Sequence, residues 1–518
     1  MDINANSIRI RGSFCVEEIP KPAGIIIFGA SGDLTSRKLI PSLFNLFRKT
    51  LLPASYYIIG VARSDFTDDQ FREKMATALR ERFPNASAGS IKSFLDHCCY
   101  ISGDYRDEML YRNVFSRISQ LDKKCRPERN HIFYLATPPS VYRDIIDHLG
   151  ASKLTREGSF ENVIEARVII EKPFGRDLES AMDLDKTLRR VLSEQQIYRI
   201  DHYLGKETVQ NILLFRFANT IFEPIWNRRY IDNIQITVGE RVGVEHRAGY
   251  FEQAGLLRDM FQNHMLQMLS LVTMEPPISF DADRVRDEKV KLLRAIRPIP
   301  IDHLRDRIIR GQYESGTIGD KTVPGYRDEK GVAHDSPVET FVAAKILIEN
   351  WRWQSVPIYL RAGKRMNRKA SKIAVTFKNV PHSMFFPLTP ADLNPNILIF
   401  HVQPEEGISL GIQAKHPGPK LCMDALEMNF SYSDVFEGEL PEAYERLLLD
   451  CMLGDQTLFI RHDDMEVSWS LITPILRAWD EDPKGDKTGK LHAYPAGSWG
   501  PAASEEMLVR DGREWIRI

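Results

Sequence analysis

"GIIIFGASGDL" (residues 24 to 34) runs from a short apolar stretch into a glycine-rich turn, and a helical pattern begins near Ser36. Dinucleotide-binding folds use this order of strand, turn and helix. The glycines let the backbone approach a pyrophosphate, and the helix N-terminus offers N–H groups that have no intrahelical partner. The spacing is G-x-x-G instead of the full G-x-G-x-x-G, so a plain structural turn is the alternative interpretation.

The turn supplies six candidate contacts for a nucleotide cofactor: Gly29, Ala30, Ser31, Gly32, Asp33 and Leu34. The next strand pattern, "YYIIGVARS", ends with Arg63, where a dinucleotide-binding fold usually carries an acidic residue for the ribose 2′-hydroxyl. A guanidinium can bind a 2′-phosphate bidentately, whereas a carboxylate would repel it. Arg63 therefore favours NADP over NAD, with an ordinary surface arginine as the alternative.

Short apolar runs such as "IFYLA" and "RVIIE" alternate with helical patterns up to about residue 200. This alternation predicts an α/β, Rossmann-like domain with a doubly wound parallel sheet over residues 1–200. Beyond it, strand-like alternation dominates, with helices expected near 254–273 and 335–349. Residues 201–518 are therefore predicted to form a larger α+β domain with a mostly antiparallel sheet.

The charges of this 518-residue chain almost cancel, with 69 Lys and Arg against 71 Asp and Glu. No basic field would therefore attract nucleic acid or an anionic membrane. No stretch reaches the roughly 18 apolar residues of a membrane span, and the N-terminus has no apolar leader. The six cysteines include no CxxC and indicate reduced thiols. We expect a cytoplasmic protein that binds neither nucleic acid nor membranes.

Two further motifs gather polar groups. "EKPFG" (171 to 175) places Lys172 at the end of a buried strand, where ligands of open α/β sheets bind, although a solvated lysine in a turn is the alternative. "RIDHYLGKE" (199 to 207) brings an acid, an imidazole, a phenol and an ammonium group together. These groups could form an acid–base pair, a phosphate site or a polar turn, and the residues alone leave the three open.

The motifs "GASGDL", "EKPFG", "RIDHYLGKE" and "RDMFQNH" occur in the order found in the glucose-6-phosphate dehydrogenase family, which the chain resembles from about residue 22 to about 500. The resemblance implies oxidation of the C1 hydroxyl of D-glucose 6-phosphate to 6-phospho-D-glucono-1,5-lactone, with NADP as hydride acceptor. That reaction is the first step of the oxidative pentose phosphate pathway. The resemblance also implies a homodimer or homotetramer formed through the domain with the large sheet.

His264, at the end of "RDMFQNH", is the candidate general base, because imidazole titrates near neutral pH. A lone histidine on an amphipathic helix is otherwise an ordinary core residue. Asp259 is the nearest carboxylate in sequence, but five positions place it about 140° around an α-helix from His264. The resemblance gives the role of orienting His264 to Asp201, and we assign Asp259 to the sugar hydroxyls.

The resemblance also implies the remaining substrate contacts. Together with Asp259, the predicted substrate contacts are Lys172, His202, Tyr203, Lys206, Glu240, Lys364, Lys369 and Gln403. His202, Tyr203 and Lys206 would bind the substrate phosphate. The cationic run "RAGKRMNRKA", which contains Lys364 and Lys369, would otherwise be a solvated face. The 13 histidines form no HExxH pattern or Cys/His cluster, so no metal site is predicted.

Two other functions remain open from the sequence. An NAD(P) oxidoreductase that acts on an unphosphorylated sugar would not need His202, Tyr203 and Lys206 around a dianion. A non-catalytic NADP-binding sensor or regulator would be expected to lose Asp201 and His264, and both residues are present.

Overall fold

The computed structural model describes residues 18–125, 130–152, 154–155, 166–419, 422–435 and 441–517. Residues 1–17, which include Cys15 and on which the expectation about a leader falls, lie outside these residues. The described cysteines are free thiols: Cys98, Cys99, Cys125, Cys422 and Cys451. Within the described residues, no helix has both the length and the apolar character needed to span a membrane.

Strands and helices alternate through the first two hundred residues and separate into runs beyond them. The strands are β1 (Ala23–Phe28), β2 (Tyr56–Ala62), β3 (Cys98–Ser102), β4 (His131–Leu135), β5 (Ala166–Ile170), β6 (Ile197–Ile200), β7 (Ile231–Gly239), β8 (Ile308–Glu314), β9 (Gly316–Ile318), β10 (Lys321–Val323), β11 (Phe341–Ile346), β12 (Ile358–Gly363), β13 (Ala370–Phe377), β14 (Ile397–Gln403), β15 (Gly407–Lys415), β16 (Met423–Ser431), β17 (Phe459–Ile460) and β18 (Leu491–Pro495). The α-helices are α1 (Ile40–Arg48), α2 (Asp68–Arg82), α3 (Ala88–Leu95), α4 (Glu108–Cys125), α5 (Tyr142–Ala151), α6 (Leu178–Val191), α7 (Glu207–Phe217), α8 (Ala248–Leu256), α9 (Leu266–Thr273), α10 (Ala282–Arg294), α11 (Leu304–Arg307), α12 (Tyr432–Val435), α13 (Ala443–Leu453), α14 (His462–Glu481) and α15 (Ala502–Val509).

The first sheet has seven strands in the order β17-β6-β5-β4-β1-β2-β3, and β1 to β6 are all parallel. All residues of β1 are buried, as expected for a strand covered on both faces. β1 pairs with β2 on one edge and with β4 on the other. Successive strands therefore extend the sheet in one direction up to β3 and in the opposite direction from β4, and the switch point lies between β1 and β4. Ligands of open α/β sheets bind outside the carboxyl ends of the strands at such a point. The predicted doubly wound, Rossmann-like sheet is confirmed.

The second large sheet has nine strands in the order β16-β15-β14-β13-β7-β12-β11-β8-β18. Its neighbouring strands are antiparallel except for the pairs β7 with β12 and β8 with β18. The predicted mostly antiparallel sheet is therefore confirmed. The two short strands β9 and β10 form a separate hairpin.

The helix expected near 335–349 is wrong, because Phe341–Ile346 forms strand β11. The run "FVAAKI" is short and almost entirely buried, and periodicity alone does not separate a buried strand from a buried helix. β11 pairs with β8 on one edge and with β12 on the other, so the sheet satisfies the backbone groups of the strand.

The other expected helical region is helical, but part of it is a π-helix. The π-helix spans Leu257–Met265, and α9 follows it directly. Hydrogen bonds in a π-helix join residue i to residue i+5, so residues five apart stand one turn apart. Asp259 and His264 therefore lie on about the same side of the helix. The α-helical geometry that placed Asp259 about 140° away from His264 is wrong.

The chain divides into two compact units that are each built from separated segments. The first contains Met1–Gly205, Ser279–Arg286 and Pro441–Glu466, and the second contains Lys206–Ile278, Asp287–Leu440 and Val467–Ile518. Within the first unit, Asn45 Nδ2 and Lys49 Nζ on α1 donate to the Glu445 carboxylate on α13, at 2.8 and 2.9 Å. Helix α13 thus belongs to the first unit although it lies far along the chain, and a functional boundary near residue 200 stays a prediction.

The turn after β1 approaches the end of β4 too closely for a side chain. Gly29 has a φ of 89°, and its N–H donates to the Val61 carbonyl at 2.8 Å. A Cβ on Gly29 would stand 2.2 Å from the Ala136 carbonyl oxygen. Both the positive φ and the contact require glycine.

We expect Gly29→Ala to destabilise the first unit by about 2 kcal/mol or more, because the added methyl group must displace backbone and the left-handed conformation disfavours a residue with a Cβ. Thermal unfolding followed by circular dichroism measures this loss. The control is Gly89→Ala at an exposed position of helix α3, where the added Cβ would stand 4.0 Å from Ser87 Oγ. The control should unfold at the wild-type temperature or above it. Equal stability of Gly29→Ala and wild type would contradict the proposed contact.

Candidate functional site

A cavity of about 470 Å³ opens at the carboxyl edge of the first sheet, where the order of the strands reverses. Of the predicted nucleotide contacts, Gly29, Ser31, Gly32 and Arg63 line this cavity. Ala30 is fully buried. Asp33 and Leu34 are the first residues of the following helical stretch, and exposed Asp33 pairs with Arg37 at 2.7 Å.

Five other residues line the cavity that the sequence did not single out: Ser64, Tyr105, Ala136, Thr137 and Pro138. Ala136, Thr137 and Pro138 follow β4, so their position at the end of the apolar run "IFYLA" and just beyond it is the signal that could have found them. Tyr105 lies on the loop after β3 and is 5% exposed, and burial raises the pKa of its phenol. No sequence pattern indicates that this loop reaches the cavity.

Arg63 stands at a rim rich in cations and hydroxyl groups. Ser64 Oγ donates to Ser31 Oγ at 3.0 Å, and Lys74 Nζ donates to the Ser31 carbonyl at 2.6 Å. Arg63 itself is exposed at the end of β2. Two cations and two hydroxyl groups beside a glycine-rich turn can bind a phosphate group by charge-assisted hydrogen bonds. The cavity and the backbone at Gly29 thus fit a dinucleotide.

Lys172 follows β5 at the same carboxyl edge, and the Lys172–Pro173 peptide bond is cis. The preceding Glu171 accepts a hydrogen bond from Tyr134 Oη at 2.5 Å. Burial raises the pKa of Glu171, while hydrogen bonds from Tyr134 and Tyr444 and the charge of Lys172 act in the opposite direction. These contacts fix the backbone from which Lys172 projects. Glu171 had no assigned role in the sequence.

Asp201 follows β6, the parallel neighbour of β5, so it lies at the same edge as Lys172. It is 1% exposed, and its Oδ1 accepts the Tyr203 N–H at 2.9 Å. The His202 ring stacks near the Tyr444 ring, with centroids 6.4 Å apart. "RIDHYLG" is thus a tight turn that brings Asp201, His202 and Tyr203 together. Lys206, just before α7, belongs to the second unit.

Strand register brings four predicted substrate contacts to one end of the nine-stranded sheet. Gly239 of β7 pairs with Gly363 of β12 and with Ala370 of β13, and Ser371 pairs with Gln403. The residues at this end are Glu240, Lys364, Lys369 and Gln403. Lys364 Nζ donates to Glu240 Oε2 at 2.5 Å and lies 4.9 Å from the centroid of the Phe251 ring. Lys369 is exposed.

The π-helix carries the last two predicted residues, His264 and Asp259, which are 1% and 6% exposed. Tyr250 Oη donates to Asp259 Oδ1 at 3.2 Å. These residues and the sheet-end group belong to the second unit, whereas the nucleotide cavity, Lys172 and Asp201 belong to the first. Each unit thus contains some of the predicted site residues.

Comparison with known proteins gives one consistent result. The family model of the glucose-6-phosphate dehydrogenase NAD binding domain matches residues 26–211, and that of the C-terminal domain matches residues 213–516. Glucose-6-phosphate 1-dehydrogenase of Chlamydia pneumoniae is 43% identical, over 95% of this chain and 96% of the relative. The corresponding protein of Bacillus subtilis (strain 168) is 42% identical, over 96% of this chain and 98% of the relative.

Among solved structures, one described as glucose-6-phosphate dehydrogenase in complex with its substrate glucose-6-phosphate is 39% identical to this chain, with a TM-score of 0.87. The alignment covers 97% of this chain and 100% of the solved one. A second, described as glucose-6-phosphate 1-dehydrogenase from Mycobacterium avium, is 35% identical, with a TM-score of 0.81, over 97% and 99% of the two chains. The chain therefore belongs to the glucose-6-phosphate dehydrogenase family.

Proposed function

We propose that this protein oxidises the C1 hydroxyl of D-glucose 6-phosphate to 6-phospho-D-glucono-1,5-lactone with transfer of hydride to NADP, the first step of the oxidative pentose phosphate pathway. One observation carries the proposal: a member of this family buries the candidate base, His264, and the carboxylate assigned to orient it, Asp201, each at 1% exposure. Burial of two ionisable groups costs free energy and is typical of functional sites. The similar structure described as a complex with glucose-6-phosphate supports the substrate.

The reaction removes a proton from the C1 hydroxyl and a hydride from C1, which leaves the C1 carbonyl of the lactone. We assign His264 as the base that takes the proton from the hydroxyl oxygen. Asp201 orients the imidazole and stabilises its protonated form. Asp259 binds sugar hydroxyls, and its place on the same side of the π-helix as His264 supports contact of both residues with one substrate. NADP, when bound, accepts the hydride.

The substrate phosphate is assigned to donors from "RIDHYLGK": His202, Tyr203 and Lys206. The sugar hydroxyls are assigned to the group at the end of the large sheet, which comprises Glu240, Lys364, Lys369 and Gln403. The ion pair of Lys364 with Glu240 supports this assignment, because the pair offers a donor and an acceptor side by side.

The proposed cofactor contacts follow from the cavity of the first unit. The backbone at Gly29, Ser31 and Gly32 would hold the pyrophosphate, with Ala30, Asp33 and Leu34 completing the turn and the helix start. Arg63 would bind the 2′-phosphate. Lys172, at the same edge, would contact both cofactor and substrate. The lack of a carboxylate among the described residues that line the cavity supports NADP over NAD.

We further propose a homodimer or homotetramer formed through the large sheet. The edge strand β16 carries exposed apolar side chains, with Leu426 at 51% and Met428 at 60% exposure. Exposed apolar side chains on a long edge strand favour pairing with another surface. A cytoplasmic location, inferred from the cysteine pattern, also remains our proposal.

Arg63→Ala should raise the KM for NADP about 10- to 100-fold, because a charge-assisted, bidentate contact to a phosphate contributes about 1.5 to 3 kcal/mol. The KM for NAD should change far less, since NAD has no 2′-phosphate. Initial rates with each cofactor measure the difference. Arg80→Ala, which removes an exposed arginine paired with Glu73 on α2, is the matched control and should leave both KM values unchanged. Equal losses with NADP and NAD in the Arg63 variant would place the 2′-phosphate elsewhere.

His264→Asn should lower kcat by about 100-fold or more, the usual contribution of a general base, while dissociation constants for substrate and cofactor stay near the wild-type values. Steady-state kinetics and equilibrium titration separate the two effects. His303→Asn changes a histidine with a 62% exposed side chain and should retain full turnover. The base assignment fails if His264→Asn turns over at a near-normal rate.

Lys206→Ala should raise the KM for glucose 6-phosphate at least about 10-fold with a smaller change in kcat, because it removes one charge-assisted contact to the phosphate. Lys291→Ala, which removes an exposed lysine paired with Glu288, is the control. Initial rates over a range of glucose 6-phosphate concentrations give both constants. An unchanged KM would assign the phosphate to other residues.

A further inference from the structure

The helix that carries Asp259 and His264 begins at a sharp break. Gly255, near the end of α8, has φ 61° and ψ 175°, and the π-helix starts at Leu257. The first N–H groups of a helix have no intrahelical acceptor and need another partner when they are buried. Leu256 and Leu257 are at most 1% exposed, so water does not supply that partner.

One residue, Glu339, accepts hydrogen bonds from both of these N–H groups. The Leu256 N–H donates to the Glu339 carbonyl oxygen at 3.1 Å. The Leu257 N–H donates to Glu339 Oε1 at 3.0 Å. Glu339 is 6% exposed and lies just before β11. β11 is an inner strand of the nine-stranded sheet. The start of the helix is therefore fixed to the sheet through a single side chain and its own backbone.

Gly255 is the residue that allows this contact. A Cβ at Gly255 would stand 2.5 Å from Glu339 Oε1, so any side chain there would displace the carboxylate. The positive φ of Gly255 also turns the chain from α8 into the π-helix, a conformation that glycine adopts without a steric cost. The break in the helix and the position of the carboxylate thus depend on each other.

Burial is the largest influence on the carboxyl group of Glu339, and the net shift of its pKa is upward. Burial raises the pKa of this carboxyl group, while the Leu257 N–H and the guanidinium groups of Arg258 and Arg310 act in the opposite direction. A carboxylate at a helix N-terminus also interacts favourably with the helix dipole. A carboxyl oxygen can accept the Leu257 N–H in either protonation state, and ionisation would strengthen that hydrogen bond.

The next residue along the chain holds the sugar-binding end of the sheet. The Thr340 carbonyl oxygen accepts the Lys364 N–H at 2.9 Å, and Thr340 N–H donates to the Gly311 carbonyl at 2.8 Å. Two consecutive residues, Glu339 and Thr340, thus anchor the helix of His264 and the strand end of Lys364. Their spacing sets the distance between the proposed base and the proposed sugar contact.

We propose that Glu339 is a positioning residue that sets His264 and Asp259 relative to the sugar-binding end of the sheet. This inference rests on the proposed function and extends it to a residue outside the substrate and cofactor contacts. Glu339 acts through the π-helix and leaves nucleotide binding alone, because the nucleotide cavity belongs to the other compact unit. A displacement of about 1 Å in a reacting group can cost about 100-fold in rate, so the loss of this anchor should be visible in turnover.

The test compares Glu339→Ala, Glu339→Asp and Glu339→Gln. Alanine removes the acceptor, and aspartate keeps the charge but withdraws the oxygen by one methylene. Glutamine keeps an acceptor oxygen at the same reach. We expect kcat to fall about 10- to 100-fold in the alanine variant, less in the aspartate variant, and at most about 3-fold in the glutamine variant. The Kd for NADP, from a fluorescence titration, should match the wild type in all three.

Hydrogen–deuterium exchange gives a readout of position that does not depend on activity. Peptides that span residues 256–265 should exchange faster in Glu339→Ala than in wild type, and Glu339→Gln should restore slow exchange. The control is Asp455→Ala, which removes a half-buried carboxylate that accepts the Thr457 N–H at 2.8 Å in the first unit. This control should lose stability without any loss of kcat per folded molecule.

The outcomes separate the two hypotheses. A wild-type protein that does not oxidise glucose 6-phosphate contradicts the proposed function, whatever the variants do. An active wild type with an equally active Glu339→Ala variant contradicts the role of Glu339 alone. Equal losses in the alanine and glutamine variants would also contradict it, because the retained acceptor would then have no effect. If the alanine variant does not fold, the aspartate and glutamine variants decide.

Discussion

The backbone contact between Gly29 and the carbonyl oxygen of Ala136 holds the nucleotide half of the site in place. β1 is paired on both edges, with β2 and with β4, so the turn that follows it cannot move away from the sheet. A Cβ on Gly29 would stand 2.2 Å from that oxygen, so only glycine can occupy this position without displacing backbone. Gly29, Ser31 and Gly32 of this turn line the cavity together with Arg63 at the end of β2.

The second unit uses a similar constraint for a different purpose. Gly255 lets the Glu339 carboxylate approach the start of the π-helix, and the hydrogen bond to Leu257 fixes that helix to the sheet. The i to i+5 hydrogen bonding of the π-helix then turns Asp259 towards the side of His264. In both units, a glycine at positive φ permits a contact on which neighbouring polar side chains depend.

The sequence predicted the class of both sheets because period-2 alternation and short apolar runs depend only on local burial. It also predicted that Gly29, Gly32 and Arg63 would stand together, since the turns after parallel strands meet at one edge. It misassigned Phe341–Ile346 because a buried strand and a buried helix have the same composition. The π-helix was invisible for a similar reason, since a shift from i+4 to i+5 hydrogen bonding leaves no mark on apolar spacing.

Contacts between distant segments were beyond sequence reasoning. Glu339 stands 82 positions from Leu257, and no local pattern links a glutamate before a strand with a helix start so far away. Glu445 contacts Asn45 across 400 positions, so the later segment of the first unit could not be assigned from composition. Tyr105 reaches the nucleotide cavity from a loop whose path only the folded sheet determines.

The central proposal is that this protein transfers hydride from a phosphorylated sugar to a cofactor with a 2′-phosphate. Absorbance at 340 nm on the purified protein tests it, with NADP or NAD paired in turn with glucose 6-phosphate or free glucose. We expect the highest kcat/KM for NADP with glucose 6-phosphate and negligible rates with free glucose. Equal rates with free glucose would contradict the phosphate site, and bound NADP without turnover would indicate a sensor instead of an enzyme.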